Sequence, residues 1–142
     1  MKIGERIQKV RKIKGMTQRE LGLEMGFPYM SADVRIAQYE NSMRIPKQDT
    51  IDRIGKILQV NPDYLSGPKG DSAEDITRFF FDLEDLGYHI EIHRHKGKMS
   101  LIISGPQITG PLKEWRRIMS RISKGELSGR DYQLWKACWN IK

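Results

Sequence analysis

The sequence predicts two domains: an all-α domain of five short helices over residues 1–66, and a small α+β domain of a helix, a β-hairpin and two helices over residues 73–142. Apolar side chains recur at helical spacing through the first 66 residues, whereas strict alternation begins only near residue 88. A run rich in Gly and Pro begins at Ser66 and is typical of a connection between domains. We therefore place a linker at residues 67–72.

Composition limits the kinds of protein that this can be. Of the 142 residues, 38% are hydrophobic, which suffices for ordinary folded cores, and a net charge of +7 favours an anionic partner such as nucleic acid. The single cysteine, Cys138, excludes an intramolecular disulfide. No apolar run approaches the roughly 20 residues of a membrane span, and residues 1–10 lack the apolar core of a signal peptide. We expect a cytoplasmic protein with no membrane partner.

The first two helices are marked by their apolar spacing and their ends. Residues 2–14 form an amphipathic helix whose buried stripe is Ile3, Ile7, Val10 and Ile13. Gly15 ends it, because glycine accepts the left-handed conformation that follows many helices. Thr17 and Glu20 have the spacing of a capping box, so a second helix begins at Gln18, and it ends before Pro28.

The third helix is predicted to follow Ser31, a favourable N-cap residue. Ile36 and Glu40 fall on one side of this helix. Arg35 and Gln38 fall on the opposite side, where they are available for contacts outside the protein.

Two more helices complete the predicted N-terminal domain. Residues 48–59 form a fourth helix with four inward apolar side chains: Ile51, Ile54, Ile57 and Leu58. Asn61 is an N-cap and Pro62 occupies the first helical position, which opens a short fifth helix through Leu65.

The second domain mixes helical and alternating patterns. A two-stranded hairpin is marginal by itself, so we expect its helices to cover it and its edge to favour pairing with a second subunit. The predicted elements are a helix over residues 73–86 capped by Ser72, strands over residues 88–94 and 99–104, a loop over residues 105–110, a helix from Pro111 to Gly125, and a last helix capped by Ser128.

A set of positions recurs in one register across the five predicted helices: Arg11, Gly15, Thr17, Gln18, Leu21, Gly26, Ile36, Glu40, Pro46, Ile54, Leu58, Val60 and Leu65. In this pattern the first 66 residues resemble the helix-turn-helix domain of the lambda-repressor-like (Cro/CI, XRE) family. The resemblance covers residues 3–66, and it implies that residues 18–25 lie across the DNA backbone while residues 32–41 form the recognition helix in the major groove. It also implies a structural ion pair between Arg11 and Glu40.

Under this resemblance, the outward side of the recognition helix supplies the candidate base-reading residues. Arg35 can donate to guanine O6 and N7, Gln38 can pair with adenine N6 and N7, and Asp33 can accept from cytosine N4. The full base-reading set is Arg35, Gln38, Ser31, Asp33 and Asn41. Gln18, at a positive helix end, suits a phosphate. The full phosphate-binding set is Thr17, Gln18, Arg19, Arg44 and Lys47.

The chain departs from the family pattern at two places. Between Gly26 and Glu40 there are about four more residues than usual, in Phe27–Ser31, so the recognition helix either starts later or follows an ordered loop. Ser42 stands where the family commonly has glycine. The left-handed backbone conformation that glycine allows near this position must therefore either be tolerated without glycine or be lost.

The resemblance implies a function in transcription. We expect a sequence-specific regulator of bacterial or phage-like type, a repressor that binds a pseudo-palindromic site in double-stranded DNA as a homodimer, with half-sites about 34 Å apart. The alternative is an antitoxin or protein-interaction module whose C-terminal domain binds a partner protein, and a third reading is a small-molecule sensor. No catalytic motif emerges, so we expect neither an enzyme nor a cofactor.

Two groups of residues in the second domain are candidates for a specific site. His89, Glu91, His93 and His95 share strand parity, but two residues four apart on a strand are about 13 Å apart, too far to share one zinc ion, so we expect a solvated sheet face and no metal. The aromatic residues Trp115, Tyr132, Trp135 and Trp139 form a core, a dimer contact or a ligand pocket, in that order of preference.

Overall fold

The computed structural model describes residues 2–68, 70 and 72–140, which divide into two units. Unit 1 is built from residues up to Gly67 together with those from Ser128 onward, and unit 2 spans Pro68–Leu127. The helices of unit 1 are α1 (Ile3–Ile13), α2 (Gln18–Glu24), α3 (Ala32–Glu40), α4 (Gln48–Leu58), α5 (Pro62–Ser66) and α8 (Gly129–Ala137). Unit 2 contains α6 (Ala73–Asp85), β1 (His89–His95), β2 (Lys98–Ser104) and α7 (Pro106–Ser123). The predicted fold class, a helical domain followed by a hairpin with helices, is confirmed.

The core of unit 1 lies between α1, α2, α3, α4 and α5. One side chain from each of these helices is fully buried: Ile7, Leu21, Ile36, Ile54 and Leu65, each at 0% exposure. Burying a side chain of this size stabilises the fold by roughly 1.5–3 kcal/mol. Helical spacing places Ile7 and Ile54 on inward faces, and both are fully buried.

Short polar side chains fix where helices begin. Thr17 Oγ1 accepts a hydrogen bond from the Glu20 N–H at 3.1 Å, and the Thr17 N–H donates to Glu20 Oε2 at 2.6 Å, which confirms the capping box. Asn61, Ser72 and Ser128 each cap their helix with the side chain, as predicted.

Ser31 behaves differently from the other predicted caps. It occupies the N-cap position of α3, but its side chain accepts no bond from the helix, and its hydroxyl lies 3.4 Å from the Pro28 carbonyl oxygen. The chain enters α3 through a turn in which the Ser31 N–H also donates to that carbonyl, at 2.9 Å. The extra residues before the helix are therefore an ordered turn.

The last helix packs on unit 1, which differs from the predicted division at residues 67–72. The Asn61 N–H donates to the Ala137 carbonyl at 2.8 Å, and Asn61 Nδ2 donates to the Trp139 carbonyl at 3.0 Å. Lys9 Nζ donates to Gln133 Oε1 at 2.7 Å, and Ala137 joins the core at 1% exposure. The amphipathic pattern of α8 shows that one face is buried, but its partner helices lie far away in sequence.

Tyr132, Trp135 and Trp139 of this C-terminal segment form one aromatic row. The Tyr132 and Trp135 rings are stacked at 6.0 Å, and the Trp135 and Trp139 rings meet edge to face at 4.8 Å. All three side chains are half-buried. Trp115, the fourth aromatic residue of that prediction, lies on α7 of unit 2 and is 47% exposed.

Unit 2 holds an antiparallel hairpin in which Ile92 pairs with Leu101. Its turn places both Lys96 and Gly97 in the left-handed region, at φ 48° and 77°. Helix α7 begins at Pro106, so the predicted loop over residues 105–110 is wrong. Pro111 is tolerated inside the helix partly because the preceding residue, Gly110, has no Cβ to clash with the proline ring.

Candidate nucleic-acid interface

The pair α2 and α3 is held together by a close approach and a charged network. Gly22 of α2 lies directly against Ala32 of α3, where an added Cβ would overlap the Ala32 carbonyl. At the other end of the pair, the Gln18 amide donates to Glu40 Oε2 at 2.8 Å. The N-terminus of α2 is thus tied to the C-terminus of α3, which fixes the angle between the two helices.

Glu40 is the centre of this network. Arg11 donates to both carboxylate oxygens, from Nε at 2.6 Å and from Nη2 at 3.0 Å, and Gln8 adds a bond at 3.2 Å. The Arg11 side chain is 8% exposed and that of Glu40 is 0% exposed. A remaining Arg11 N–H donates to the Met16 carbonyl at 2.7 Å, so the guanidinium also braces the turn after α1. The structure contains the Arg11–Glu40 ion pair that the resemblance implies.

Burial by itself would raise the pKa of the Glu40 carboxyl group. Hydrogen bonds from Arg11 and Gln18 outweigh that effect, and the pKa lies below its ordinary value. Glu40 is therefore ionised at neutral pH and pairs with a charged Arg11.

The outward side of α3 is the surface that a groove would meet. Ala32, Ile36, Tyr39 and Glu40 are buried, and the positions opposite them are Val34, Gln38 and Asn41. Asn41 is exposed, Gln38 is half-buried, and Val34 is 53% exposed. Sequence reasoning did not select Val34, although a rotation of about 100° per residue places it about 160° from Ile36 and about 120° from Glu40, and therefore outward.

Arg35 lies at the flank of this surface. Its guanidinium sits 5.1 Å from the centre of the Phe27 ring, a cation–π contact with the turn before the helix. The side chain is exposed, as the base-reading prediction requires. Phe27 limits where the guanidinium can go, because stacking favours one direction of the long side chain.

Arg19 and Asp33, predicted to contact a phosphate and a base respectively, contact each other. Arg19 Nη2 lies 2.8 Å from Asp33 Oδ2, and the Arg19 guanidinium also lies 4.9 Å from the Tyr29 ring. The hydrogen bond from Arg19 lowers the pKa of the Asp33 carboxyl group below its ordinary value. In this arrangement Asp33 holds Arg19 beside α3.

The segment after α3 carries the other basic candidates. Ser42 adopts φ 58°, so the left-handed conformation is kept without glycine at that position. The Arg44 N–H donates to the Gln38 carbonyl at 3.1 Å, and the side chains of Arg44 and Lys47 are exposed. Both can reach an anion beyond the C-terminal end of α3.

Two candidates at the start of α2 are already partly engaged. The Thr17 hydroxyl oxygen accepts from the Glu20 N–H, and the Gln18 side chain is half-buried against Glu40. Thr17 retains its hydroxyl hydrogen and Gln18 its carbonyl oxygen and second amide hydrogen. Their assignment to phosphate contacts stays a prediction, as does the base-reading set.

The histidines of β1 lie far from this surface in sequence. Glu91 accepts from His93 at 2.9 Å and from His89 at 3.1 Å, and the bond from His93 contributes most to lowering the pKa of the Glu91 carboxyl group. Within the described ranges, no set of three His, Cys, Asp or Glu side chains is arranged to hold a metal ion. Among the helices that the structure describes, none has the length and apolar character needed to span a membrane.

Comparison with known proteins bears on this surface. Residues 7–65 match the model of a helix-turn-helix family, HTH_3. A solved structure, the crystal structure of transcriptional regulator BswR, aligns with 60% of this chain and 94% of that chain, at 26% sequence identity and a TM-score of 0.45. No curated protein matches the chain.

Proposed function

We propose that this chain, whose residues 7–65 match a helix-turn-helix family model, is a DNA-binding transcription regulator that recognises a specific operator in double-stranded DNA as a homodimer and represses transcription. The observation that carries the proposal is the outward surface of α3. It presents hydrogen-bonding side chains on a helix whose opposite side is fully buried in a well-packed core. Such a helix can enter a major groove without disturbing the fold.

Contacts to bases and to the DNA backbone are divided between two groups of residues. Base contacts are proposed for Arg35 and Gln38, with Ser31, Asn41 and Asp33 as further candidates. Phosphate contacts are proposed for Arg44 and Lys47 at one end of α3, and for Thr17, Gln18 and Arg19 at the N-terminal end of α2. This arrangement follows the general division in which phosphate contacts orient the protein and base contacts specify the sequence.

Arg35→Ala and Gln38→Ala are each expected to reduce the preference for the operator over unrelated DNA. A lost bidentate contact reduces discrimination by roughly 1–3 kcal/mol, which is about 5- to 150-fold. The operator would first be selected from a random duplex pool, and binding would then be measured by titration at fixed salt.

Lys47→Ala is the matched control for both variants. A phosphate contact contributes equally to all sequences, so this variant should weaken binding uniformly. The slope of log K against log salt concentration should become shallower by about 1, because about one counterion fewer is released. Unchanged discrimination in both Arg35→Ala and Gln38→Ala would contradict the base-reading assignment. A pool that enriches no sequence would contradict the proposed function.

The homodimer is proposed to form through unit 2. Only Leu83 and Ile118 are buried there among the described large apolar residues, at 9% and 5% exposure. Many others are substantially exposed: Ile76, Phe79, Phe81, Leu86, Ile92, Met99, Ile102, Leu112, Trp115 and Met119. A unit of this size with so little core is marginal by itself, and an isologous contact with a second copy would cover the apolar surface.

Phe79→Asp is expected to convert the dimer to a monomer. Ile76, Phe79 and Leu86 lie on the same side of α6 as buried Leu83, whereas Phe81 lies on the opposite side. Phe81 is 59% exposed and Phe79 57%, so Phe81→Asp is a control matched in residue type, helix and exposure. Light scattering of the full chain should give a monomer for the first variant and a dimer for the second. A wild-type chain that is monomeric at micromolar concentration would refute the proposal.

Repression is the proposed sign of regulation. A dimer bound across two half-sites covers more than one turn of the duplex, and such occupation blocks other proteins without a further contact surface. In a purified transcription reaction, adding the protein should reduce transcripts from a promoter that contains the operator. An increase in transcripts would assign activation instead.

A further inference from the structure

The recognition helix carries an apolar side chain at the centre of its outward surface. Val34 is 53% exposed, whereas Ala32 and Ile36 of the same helix are fully buried. Its neighbours on the exposed surface, Arg35 and Gln38, carry hydrogen-bonding groups, whereas Val34 offers only two methyl groups. If α3 enters a groove, this outward position brings the two methyl groups towards the edges of the bases.

The major groove presents one apolar group to a protein, the C5-methyl group of thymine. A methyl group on an inserted helix can bury that group and exclude water from both. The other apolar chemistry near α3 lies at its ends: Tyr29 and Met30 precede the helix, and Met43 and Ile45 follow it, all strongly exposed. Of these positions and Val34, only Val34 lies within the helix between the proposed base-reading residues.

We propose that Val34 contacts a thymine C5-methyl group in each half-site, and that it makes thymine preferred over cytosine at one operator position. Gln38 lies one helical turn further along the same side, at i+4, so the two side chains read neighbouring base pairs. The inference rests on the proposed function, since it requires α3 to lie in a major groove.

The test replaces each operator thymine, one at a time, with deoxyuridine. Deoxyuridine keeps the hydrogen-bonding groups of thymine and lacks only the C5-methyl group. For the wild-type protein, one symmetry-related pair of replacements should weaken binding by about fourfold per half-site, the change that corresponds to burying one methyl group. Replacements at the other positions should have little effect.

Variants of Val34 then assign the effect to that side chain. Val34→Ser removes both methyl groups, so it should bind the thymine and deoxyuridine operators with equal affinity. Val34→Ile keeps the apolar contact and should retain the sensitivity to deoxyuridine. Because the position is exposed, both variants should unfold at the same temperature as the wild-type protein within a few degrees.

Three results would overturn the inference. The first is an operator on which no thymine replacement weakens binding of the wild-type protein. The second is a Val34→Ser variant that keeps the full sensitivity to deoxyuridine. In both cases the operator is still bound, so the proposed function would stand. The third is a random pool that enriches no sequence, which would remove the proposed function together with the inference.

Discussion

Replacing Glu40 by alanine is expected to lower the free energy of unfolding by roughly 3–5 kcal/mol, because it leaves the Arg11 guanidinium buried without its counterion. The Arg11 side chain is only 8% exposed, so water cannot solvate the charge in place of the carboxylate. Gln8 and Gln18 lose an acceptor in the same step. Urea unfolding followed by far-UV circular dichroism would measure the change.

The exposed pair Arg19–Asp33 provides the control. Its side chains are 45% and 34% exposed, and an exposed ion pair typically contributes less than about 1 kcal/mol. Asp33→Ala should therefore change stability far less than Glu40→Ala. A double variant, Arg11→Met with Glu40→Leu, should be more stable than Glu40→Ala alone, because no charge is left buried. A loss below 1 kcal/mol in Glu40→Ala would show that the network is not structural.

The effect should also depend on pH, with a sign fixed by the lowered pKa of the Glu40 carboxyl group. The pair contributes fully above the pKa of glutamate in the unfolded chain, about 4.3, and its contribution is lost as pH falls through the lower folded-state pKa. The stability difference between wild type and Glu40→Ala should therefore be constant from pH 5 to 7. Below about pH 4 it should shrink.

Local sequence signals predicted most of the helix starts. The side-chain caps at Thr17, Asn61, Ser72 and Ser128 all have partners within three residues. Both partners of each hydrogen bond can therefore be recognised from a short stretch of sequence. Ser31 makes no side-chain cap because its backbone is not extended: its ψ is 0°, whereas the four residues that cap with their side chains have ψ between 123° and 161°.

Interactions between distant segments could not be read from spacing. The bonds that hold α8 on unit 1 join residues as far apart as Lys9 and Gln133, and no periodicity encodes a partner at that separation. The resemblance supplied one such pair, Arg11 with Glu40, but the residues alone did not.

The same limit explains what was missed at the candidate interface. Gln18 was assigned to a phosphate without knowledge that Glu40 takes one of its amide hydrogens, and Arg35 without knowledge of the Phe27 ring. Val34 was not among the candidates because only polar side chains were considered as contacts. Helical geometry alone would have placed it outward.

Gly22→Ala is the second variant with a large expected effect. A Cβ at this position would overlap the Ala32 carbonyl oxygen and its neighbouring backbone atoms, and backbone cannot move aside as a flexible side chain can. Helices α2 and α3 would have to separate. Overpacking of a tight contact typically costs about 1–3 kcal/mol, and backbone contact places this case at the upper end of that range or beyond.

Gly129→Ala is the control for this substitution. Gly129 is the first residue of α8, and no atom lies within 4 Å of the position that its Cβ would occupy. This variant should therefore remain within about 0.5 kcal/mol of the wild-type protein. Equal stability of Gly22→Ala and Gly129→Ala would contradict the inferred close approach of α2 and α3.

The effect of Gly22→Ala on DNA binding separates helix position from side-chain chemistry. The variant keeps Arg35, Gln38 and the basic residues around α3, but it changes the angle of α3 relative to α2, whose N-terminal end carries the proposed phosphate contacts. Binding to the operator and to unrelated DNA should therefore fall together, unlike the selective loss expected for Arg35→Ala. Titrations of operator and unrelated DNA, at a temperature where Gly22→Ala and Arg35→Ala are both folded, would measure the two affinities. If Gly22→Ala lost only its discrimination, the α2–α3 angle would govern base contacts without positioning the phosphate contacts.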